Sequence, residues 1–226
     1  MSETLRIGNL SSSSNTNEST AIPHEFLPQP CFRYVVVGPS FSGKSNMIKH
    51  MLTDDEFGYR RYFGENVIVF SKTLGLDSTW TSLKLPKSHY YSEWDEDIVR
   101  EIMDYSKTQE RGVLLLLDDL ISDQGAFNRR NSNLLTELFF CGRHFGISLI
   151  ITTQKLLAVP SGMLANCSHM AVFRLKTKRE LDSFLENVNS VDNLPEKYKY
   201  ATANQFGFIY MNFASNSAYR CYEEEL

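Results

Sequence analysis

Cysteine and histidine are sparse in this chain, and none of them forms a recognisable metal-binding pattern. The 226 residues include four cysteines and five histidines, with no CxxC pair and no HExxH motif. Cysteines spaced this widely do not make the framework of a small disulfide-rich protein, and they are more often small buried apolar residues. Their positions are Cys31, Cys141, Cys167 and Cys221. We therefore expect neither a zinc site nor a disulfide scaffold.

Long apolar runs and an excess of positive charge are also missing. No stretch approaches the roughly 20 apolar residues that cross a bilayer, and the first residues lack the apolar core of a secretory signal. The 23 basic and 27 acidic residues give a net charge of −4. The chain as a whole is therefore not a general nucleic-acid binder, and any DNA contact must come from a local basic patch. We expect a soluble intracellular protein with no membrane partner.

The first 30 residues differ in composition from the rest. A tract rich in serine, asparagine and threonine at 11–20 is followed by Pro23, Pro28 and Pro30. Such a segment buries too little apolar surface to offset the entropy lost on ordering. We predict a flexible arm over residues 1–30 and one folded domain over residues 31–226.

From residue 31 onward, strand and helix patterns alternate. A helix capped by Ser92 is expected where that residue precedes an amphipathic run, and Thr177 with Glu180 forms a capping-box pattern before another helix. Apolar strands alternating with helices predict an α/β doubly wound fold, with a mainly parallel central sheet and helices on both faces. Strands are predicted at 33–37, 67–70, 113–117, 147–152, 170–175 and 206–213, and further helices at 44–52, 93–106 and 133–141.

The sequence GPSFSGKS at 38–45 fits the phosphate-loop pattern GxxxxGK[ST], with a β-branched strand before it and an amphipathic helix after it. Glycines let backbone N–H groups close around a phosphate, and the helix N-terminus adds a positive dipole end. Lys44 can reach the β- and γ-phosphates of ATP, and the Ser45 hydroxyl can ligate Mg²⁺. The predicted nucleotide-binding residues are Gly38, Pro39, Ser40, Phe41, Ser42, Gly43, Lys44, Ser45 and Asn46.

Two carboxylates, Asp118 and Asp119, follow four consecutive leucines at 114–117. At the carboxyl end of a buried strand, Asp118 is placed to hold Mg²⁺ through water. Asp119 is placed to orient or deprotonate the attacking water. Acidic residues that end a strand are often only a cap or a turn. The phosphate loop upstream favours the catalytic interpretation.

A third pattern is the apolar run ISLIITTQ at 147–154, which ends in polar residues. Gln154 would then lie near the γ-phosphate and distinguish ATP from ADP, unless it merely starts a loop. A strand inserted between the phosphate-loop strand and the double-carboxylate strand is typical of the RecA-like, or additional-strand (ASCE), NTPases. We predict that the strand at 147–152 occupies that position.

Together, GPSFSGKS, LLLLDDL and CGRHFGISLIITTQ resemble the packaging ATPases of large DNA viruses, virophages and Polinton-like elements, within the FtsK–HerA superfamily. The resemblance spans Phe32 to Leu175, and the turn that contains Arg143 and His144 is its most family-specific part. The wider superfamily commonly has Asp-Glu where this chain has Asp118 and Asp119. The Asp-Asp pair of this chain is closer to the pattern of the viral branch.

The resemblance implies an ATP- and Mg²⁺-dependent motor that moves double-stranded DNA into a preformed capsid. It also implies a pentameric or hexameric homo-oligomeric ring that hydrolyses ATP between subunits. The partners would be double-stranded DNA and a capsid or capsid-vertex protein. The protein would then act at viral assembly sites in the host-cell cytoplasm.

Arg143 is the leading candidate for an arginine finger, because a planar, permanently charged donor suits the charge that develops on the transferred phosphoryl group. A surface arginine that caps a helix is the alternative. Arg129 and Arg130, in the loop 125–131 with Phe127, are other candidates for the finger or for a DNA channel. His144 could relay the nucleotide state or cap the turn. Further phosphate contacts, or simply solvated residues, are Lys155, Lys176, Lys178 and Arg179.

Three other functions remain open. A guanylate-type nucleotide kinase has a similar phosphate loop, but it would need an arginine-rich lid, and residues 72–91 contain no arginine. A non-catalytic scaffold would not need the residues Lys44, Asp118 and Gln154 together. Another translocase of the FtsK–HerA type is the nearest alternative, although those usually carry extra domains.

The aromatic alternation near the C-terminus has a structural explanation. Aromatic residues that alternate along a strand more often pack on the core and on neighbouring strands than stack on bases. We therefore expect no nucleic-acid role for Phe206, Phe208, Tyr210 and Phe213.

Overall fold

The residues described by the computed structural model, 22–76, 78–120, 132–188 and 191–226, contain nine strands in one sheet, in the order β3-β2-β4-β5-β1-β6-β7-β8-β9. The first six strands are parallel, and the last three pair antiparallel. β5 lies between β4 and β1, as predicted for an additional-strand NTPase. The strands are β1 Arg33–Val37, β2 Val67–Ser71, β3 Tyr90–Tyr91, β4 Val113–Asp118, β5 Ile147–Thr153, β6 His169–Phe173, β7 Phe208–Asn212, β8 Ser217–Arg220 and β9 Glu224–Glu225.

Helices cover both faces of this sheet, which confirms the predicted α/β class. Buried residues of α1 and α2 pack with Tyr34 and Val36 of β1 on one face, and those of α3 to α7 pack with Val35 and Val37 on the other. This division follows from the period-two alternation of side chains along a strand. The helices are α1 Lys44–Thr53, α2 Tyr59–Phe63, α3 Glu96–Ser106, α4 Ser132–Cys141, α5 Ser161–Ala165, α6 Lys178–Asn187 and α7 Leu194–Ala201.

Capping explains one wrong helix boundary and one correct one. The helix that was expected to begin at Glu93 behind Ser92 begins at Glu96, and Asp95 is its N-cap. The Asp95 carboxylate accepts hydrogen bonds from the backbone N–H groups two and three residues later, at 2.9 and 3.2 Å. A carboxylate satisfies these free N–H groups at a helix start better than a more distant serine can. The predicted cap at Thr177 is confirmed, because its hydroxyl accepts the Glu180 N–H at 3.3 Å.

The C-terminal part of the sheet is less regular than expected. The predicted strand at 170–175 is observed as β6, which ends two residues earlier, and the aromatic strand at 206–213 is reduced to β7. β7 runs antiparallel to β6 and continues into β8 and β9, which the sequence pattern did not predict. Phe206 lies outside the strand and is 57% exposed, so the expectation that it packs in the core was wrong.

Residues 22–30 pack on the domain rather than extending away from it. Ile22 and Leu27 are buried. The Tyr59 hydroxyl donates to the Pro28 carbonyl at 2.8 Å, and the Tyr210 hydroxyl donates to the Phe26 carbonyl at 2.7 Å. The flexible arm therefore stays a prediction for residues 1–21, which lie outside the described part of the chain.

His169, on β6, is a buried titratable group beside β1. Its ring stacks parallel to that of Tyr210, with 5.9 Å between centroids, and its Nδ1 lies 2.9 Å from the Ser168 hydroxyl oxygen. Burial lowers the pKa of His169 from 6.5 to about 3, and the nearby positive charge of Arg33 acts in the same direction. The folded protein therefore holds this imidazole in its neutral form at neutral pH.

This burial predicts a loss of stability in mild acid. Between pH 6.5 and about 3 the unfolded chain binds a proton at His169 that the folded chain does not, so the free energy of unfolding falls as pH falls. From pH 7 to pH 5 the contribution is about 2 kcal/mol. Urea unfolding at both pH values should show a smaller pH dependence for His169→Phe, whereas the surface variant His144→Phe keeps the wild-type dependence. Equal pH dependence in wild type and His169→Phe would contradict the assignment.

Candidate active site

Polar side chains form a row across the carboxyl ends of three neighbouring parallel strands. Ser71 of β2 lies beside Asp118 of β4, and Asp118 lies beside Thr152 of β5. Leu116 and Ile150, two residues earlier on β4 and β5, belong to the core on the α1 face. Because side chains alternate along a strand, Asp118 and Thr152 point to that same face. The row therefore lies beside the loop that connects β1 to α1.

That loop, residues 38–43, keeps its shape because glycine occupies two critical positions. A Cβ at Gly38 would lie 2.6 Å from the Ser42 hydroxyl oxygen and 2.8 Å from the Phe173 Cβ. Gly43 has a φ of +100°, in the left-handed region that favours glycine. The Gly38 N–H donates to the Thr153 carbonyl at 3.1 Å. The loop is thus tied to the carboxyl end of β5.

Lys44, the first residue of α1, is buried inside this loop. Its ammonium donates to the carbonyl oxygens of Gly38 and Pro39, at 2.7 and 3.1 Å. Burial lowers the pKa of Lys44, and the charges of Asp119 and Asp118 partly offset this effect. A cation is therefore held at a helix N-terminus, beside carboxylates and within a ring of backbone groups. This combination suits a bound polyphosphate.

Asp118 is 6% exposed, and three donors from the described part of the chain form hydrogen bonds to its carboxylate. Oδ2 accepts from the Ser71 hydroxyl at 2.9 Å and from the Trp80 indole N–H at 2.8 Å. Oδ1 accepts from the Thr152 hydroxyl at 2.7 Å. The carboxylate orientation is therefore fixed before any ligand binds. Sequence reasoning missed Trp80, which lies between β2 and β3 in a segment without a motif.

Asp119 and Gln154 form a link between the row and the phosphate loop. The Gln154 amide donates to Asp119 Oδ2 at 2.5 Å, and its carbonyl oxygen accepts from the Ser40 hydroxyl at 2.9 Å. Asp119 has a φ of +55°, an uncommon conformation for a residue with a side chain. Its other oxygen, Oδ1, is buried and has no hydrogen-bond partner among the described residues. The site thus presents one free carboxylate oxygen.

Solved structures of viral packaging NTPases share this fold. No protein-family model matches the chain. The genome packaging NTPase B204 of Sulfolobus turreted icosahedral virus 2, solved with AMP, superposes with a TM-score of 0.62 at 19% identity, over 84% of this chain and 96% of that one. The chain has the fold of this packaging NTPase. The resemblance expected from the motifs is therefore confirmed at the level of the fold.

Two further relatives are viral. The DNA-packaging ATPase B204 of Sulfolobus Turreted Icosahedral Virus gives a TM-score of 0.62 at 18% identity, with the same coverage of 84% and 96%. The uncharacterized protein 075L of Invertebrate iridescent virus 6 is 24% identical over an alignment of 192 residues that covers 82% of this chain and 71% of that protein. The packaging-NTPase fold thus accounts for most of the chain.

On this packaging-NTPase fold, Arg143 is not brought to the chain's own site. It is exposed in the turn Gly142–Phe145, which precedes β5, whereas the polar row follows the carboxyl ends of the strands. Since the strands are parallel, Arg143 lies at their amino ends and the polar row lies at their carboxyl ends. An arginine finger at Arg143 is therefore compatible only with the site of another subunit. Arg129, Arg130 and Phe127 lie outside the described residues.

The other predicted residues lie on or near the loop. Ser45 follows Lys44 in the first turn of α1 and is half-buried, whereas Asn46 is exposed. Phe41, at the tip of the loop, is 98% exposed and has a φ of +64°. Lys155 is exposed directly after Gln154. The remaining basic candidates lie near the start of α6, and among them Lys178 and Arg179 are exposed.

An aromatic cavity of about 780 Å³ adjoins the phosphate loop and the first turns of α1. Phe206 separates this cavity from a smaller one on the other side of the loop. The ring of Phe206 lies against Gly43, since a Cβ there would come within 3.2 Å of it. The sequence did not reveal this cavity because segments from both ends of the chain form its wall. Residues lining it include Phe26, Asn46, Met47, Phe57, Phe206, Phe208 and Tyr222.

Across the described ranges, no three histidine, cysteine or acidic side chains are grouped as a metal site. In that same part of the chain, no helix is both long enough and apolar enough to span a bilayer.

Proposed function

We propose that this protein is an Mg²⁺-dependent ATPase that drives double-stranded DNA into a preformed viral capsid. The observation that carries the proposal is the placement of Asp118 and Asp119 beside the phosphate loop that encloses Lys44. The Gln154 bridge between Asp119 and Ser40 adds a polar contact between the loop and the carboxylates. Binding of a nucleotide alone would not require Asp119 or the hydrogen bonds that Gln154 makes to Asp119 and Ser40.

In this proposal the triphosphate of ATP lies in the loop at residues 38–45. Lys44 exchanges its contacts with the Gly38 and Pro39 carbonyls for oxygens of the β- and γ-phosphates. The backbone N–H groups of the loop and the N-terminus of α1 face the same anion. Lys44 already lies inside the loop before the nucleotide binds, so the change is one of hydrogen-bond partner.

The residues at the site suit Mg²⁺. This cation is usually held by one or two protein oxygens together with phosphate oxygens and water, and Ser45 and Asp118 supply such oxygens. Asp118 is already oriented by its three donors. When bound, the cation would neutralise charge on the phosphates.

Hydrolysis requires a positioned water, and Asp119 is suited to hold it. Its Oδ1 is buried and unpartnered within the described residues, so it can accept a hydrogen bond from water. Gln154, which now contacts Asp119 and Ser40, is close enough to the loop to respond to a γ-phosphate. Arg143 would complete the site of a neighbouring subunit, because it lies at the amino ends of the strands, opposite the site of its own chain.

The aromatic cavity suits the base of the nucleotide. It adjoins Gly43 and the first turns of α1, so a base attached to phosphates in the loop can reach it. Phe206 offers a largely exposed ring face beside the loop, and base–aromatic stacking tolerates any base. We therefore place the base against Phe206 rather than in the smaller cavity.

The proposal that ATP hydrolysis drives DNA packaging is supported by the shared fold with the B204 packaging NTPases. With a net charge of −4, contact with DNA must come from local groups of basic residues, such as Arg129 and Arg130 or Lys155, brought together in a ring. The capsid or capsid-vertex partner is part of the same proposal. A guanylate-type kinase is disfavoured because β5 separates β1 from β4.

The direct test is ATP hydrolysis by the purified full chain, with and without double-stranded DNA. We expect DNA to stimulate turnover, and Lys44→Ala to abolish turnover because the loop loses its buried cation. Lys49→Ala, on the same helix, is the matched control and should retain activity. Turnover that depends on a nucleoside monophosphate instead of DNA would identify a kinase and overturn the packaging proposal.

Phe206→Ala tests where the base lies. We expect affinity for ATP to fall about tenfold, since a stacking contact of this kind contributes about 1–3 kcal/mol. Affinity for inorganic triphosphate should not change, because the loop is intact. Both affinities can be measured by calorimetry, with Phe140→Ala on α4 as a control for removal of an exposed phenylalanine. Unchanged ATP affinity in Phe206→Ala would place the base elsewhere.

A further inference from the structure

We propose that Trp80 is a positioning residue for Asp118, and that its indole N–H determines which carboxylate oxygen faces the bound cation. The inference rests on the proposed function, since it concerns the Mg²⁺–nucleotide complex. It starts from one contact, the 2.8 Å hydrogen bond from Trp80 Nε1 to Asp118 Oδ2.

Trp80 is held in place independently of Asp118. Its side chain is 0% exposed, in the core on the α1 face of the sheet. Its carbonyl oxygen accepts from the Leu83 N–H and from the Tyr90 hydroxyl, each at 3.0 Å. The Tyr90 hydroxyl in turn accepts from the Leu85 N–H at 3.1 Å. The indole is therefore a fixed donor to which the carboxylate must adapt.

The other two donors are hydroxyls, and each has a single proton to donate. Because the Asp118 carboxylate can only accept, Ser71 and Thr152 both donate to it, at 2.9 and 2.7 Å. The Ser71 hydroxyl then accepts from the Thr73 hydroxyl, 3.0 Å away, and from the Thr73 N–H at 3.3 Å. The Thr152 hydroxyl accepts from the Asp119 N–H at 3.0 Å.

A count of acceptor positions then distinguishes the two oxygens of Asp118. A carboxylate has about four lone-pair positions, two on each oxygen. Ser71 and Trp80 together occupy both positions on Oδ2, whereas Thr152 occupies one on Oδ1. Among the described residues, only Oδ1 therefore keeps a position that a water molecule on the cation could fill. Without the indole donor, Oδ2 would compete for that water and the carboxylate would lose its single orientation.

The chain contains a natural comparison in its only other tryptophan, Trp94. The Trp94 indole nitrogen is buried too, but it has no hydrogen-bond partner among the described residues. Its ring packs on Phe70, with 5.7 Å between centroids. Replacing Trp94 therefore removes a partly buried indole that packs against the core, without removing a donor from the site.

The experiment compares Trp80→Phe with Trp94→Phe in the full chain. Calorimetry measures the affinity for a non-hydrolysable ATP analogue with and without Mg²⁺, and the ratio of the two affinities reports how well the site uses the cation. We expect this ratio to fall about tenfold in Trp80→Phe, as for loss of a hydrogen bond to a charged group, and to stay at the wild-type value in Trp94→Phe. A purely structural role would weaken both affinities and leave the ratio unchanged.

Fluorescence gives a second readout if Trp80→Phe does not fold. In Trp94→Phe the only tryptophan is Trp80, and its emission should change when Mg²⁺ is added to the analogue-bound protein. The change should be absent in the Trp94→Phe, Asp118→Asn double variant. An unchanged affinity ratio in Trp80→Phe, or an emission insensitive to Mg²⁺, would overturn this inference alone. A wild-type chain whose nucleotide binding ignores Mg²⁺ would overturn the proposed function together with it.

Discussion

The burial of the Asp118 carboxylate is the constraint on which the rest of the site depends. A buried carboxylate is costly unless donors surround it, and here they come from both neighbouring strands and from one buried indole. The in-register pairing of β2, β4 and β5 supplies Ser71 and Thr152 as lateral neighbours. The position of β5 between β4 and β1 therefore serves the site on both sides, because it places Thr152 beside the carboxylate and Thr153 beside the phosphate loop.

The link through Gln154 connects this row to the loop. One amide side chain contacts both Ser40 of the loop and Asp119 at the end of β4. Asp119 adopts a left-handed backbone conformation, and such strain persists only where the surroundings impose it. A ligand that attracts Gln154 toward the loop would release Asp119. The geometry thus allows nucleotide binding and water activation to be coupled through one residue.

The features of the site that could be predicted from the sequence are those that lie within short contiguous segments. The phosphate loop, the carboxylate pair and Gln154 lie in contiguous motifs, and the periodicity of strands and helices was sufficient for the fold class. Trp80 was not predictable, because it is 38 residues from Asp118 and only the folded chain brings them together. The aromatic cavity likewise combines Phe26 and Tyr222 from the two ends of the chain. The role proposed for Arg143 would depend on a second subunit, which one chain's sequence does not specify.

The most direct measurement is a crystal structure of the protein with Mg²⁺ and a non-hydrolysable ATP analogue. The account predicts the triphosphate within residues 38–45, with Lys44 on the β- and γ-phosphates and Gln154 turned from Asp119 toward the γ-phosphate. Asp118 should keep its contacts with Ser71, Trp80 and Thr152. A triphosphate bound outside the loop, with Lys44 still on the carbonyls of Gly38 and Pro39, would contradict the account.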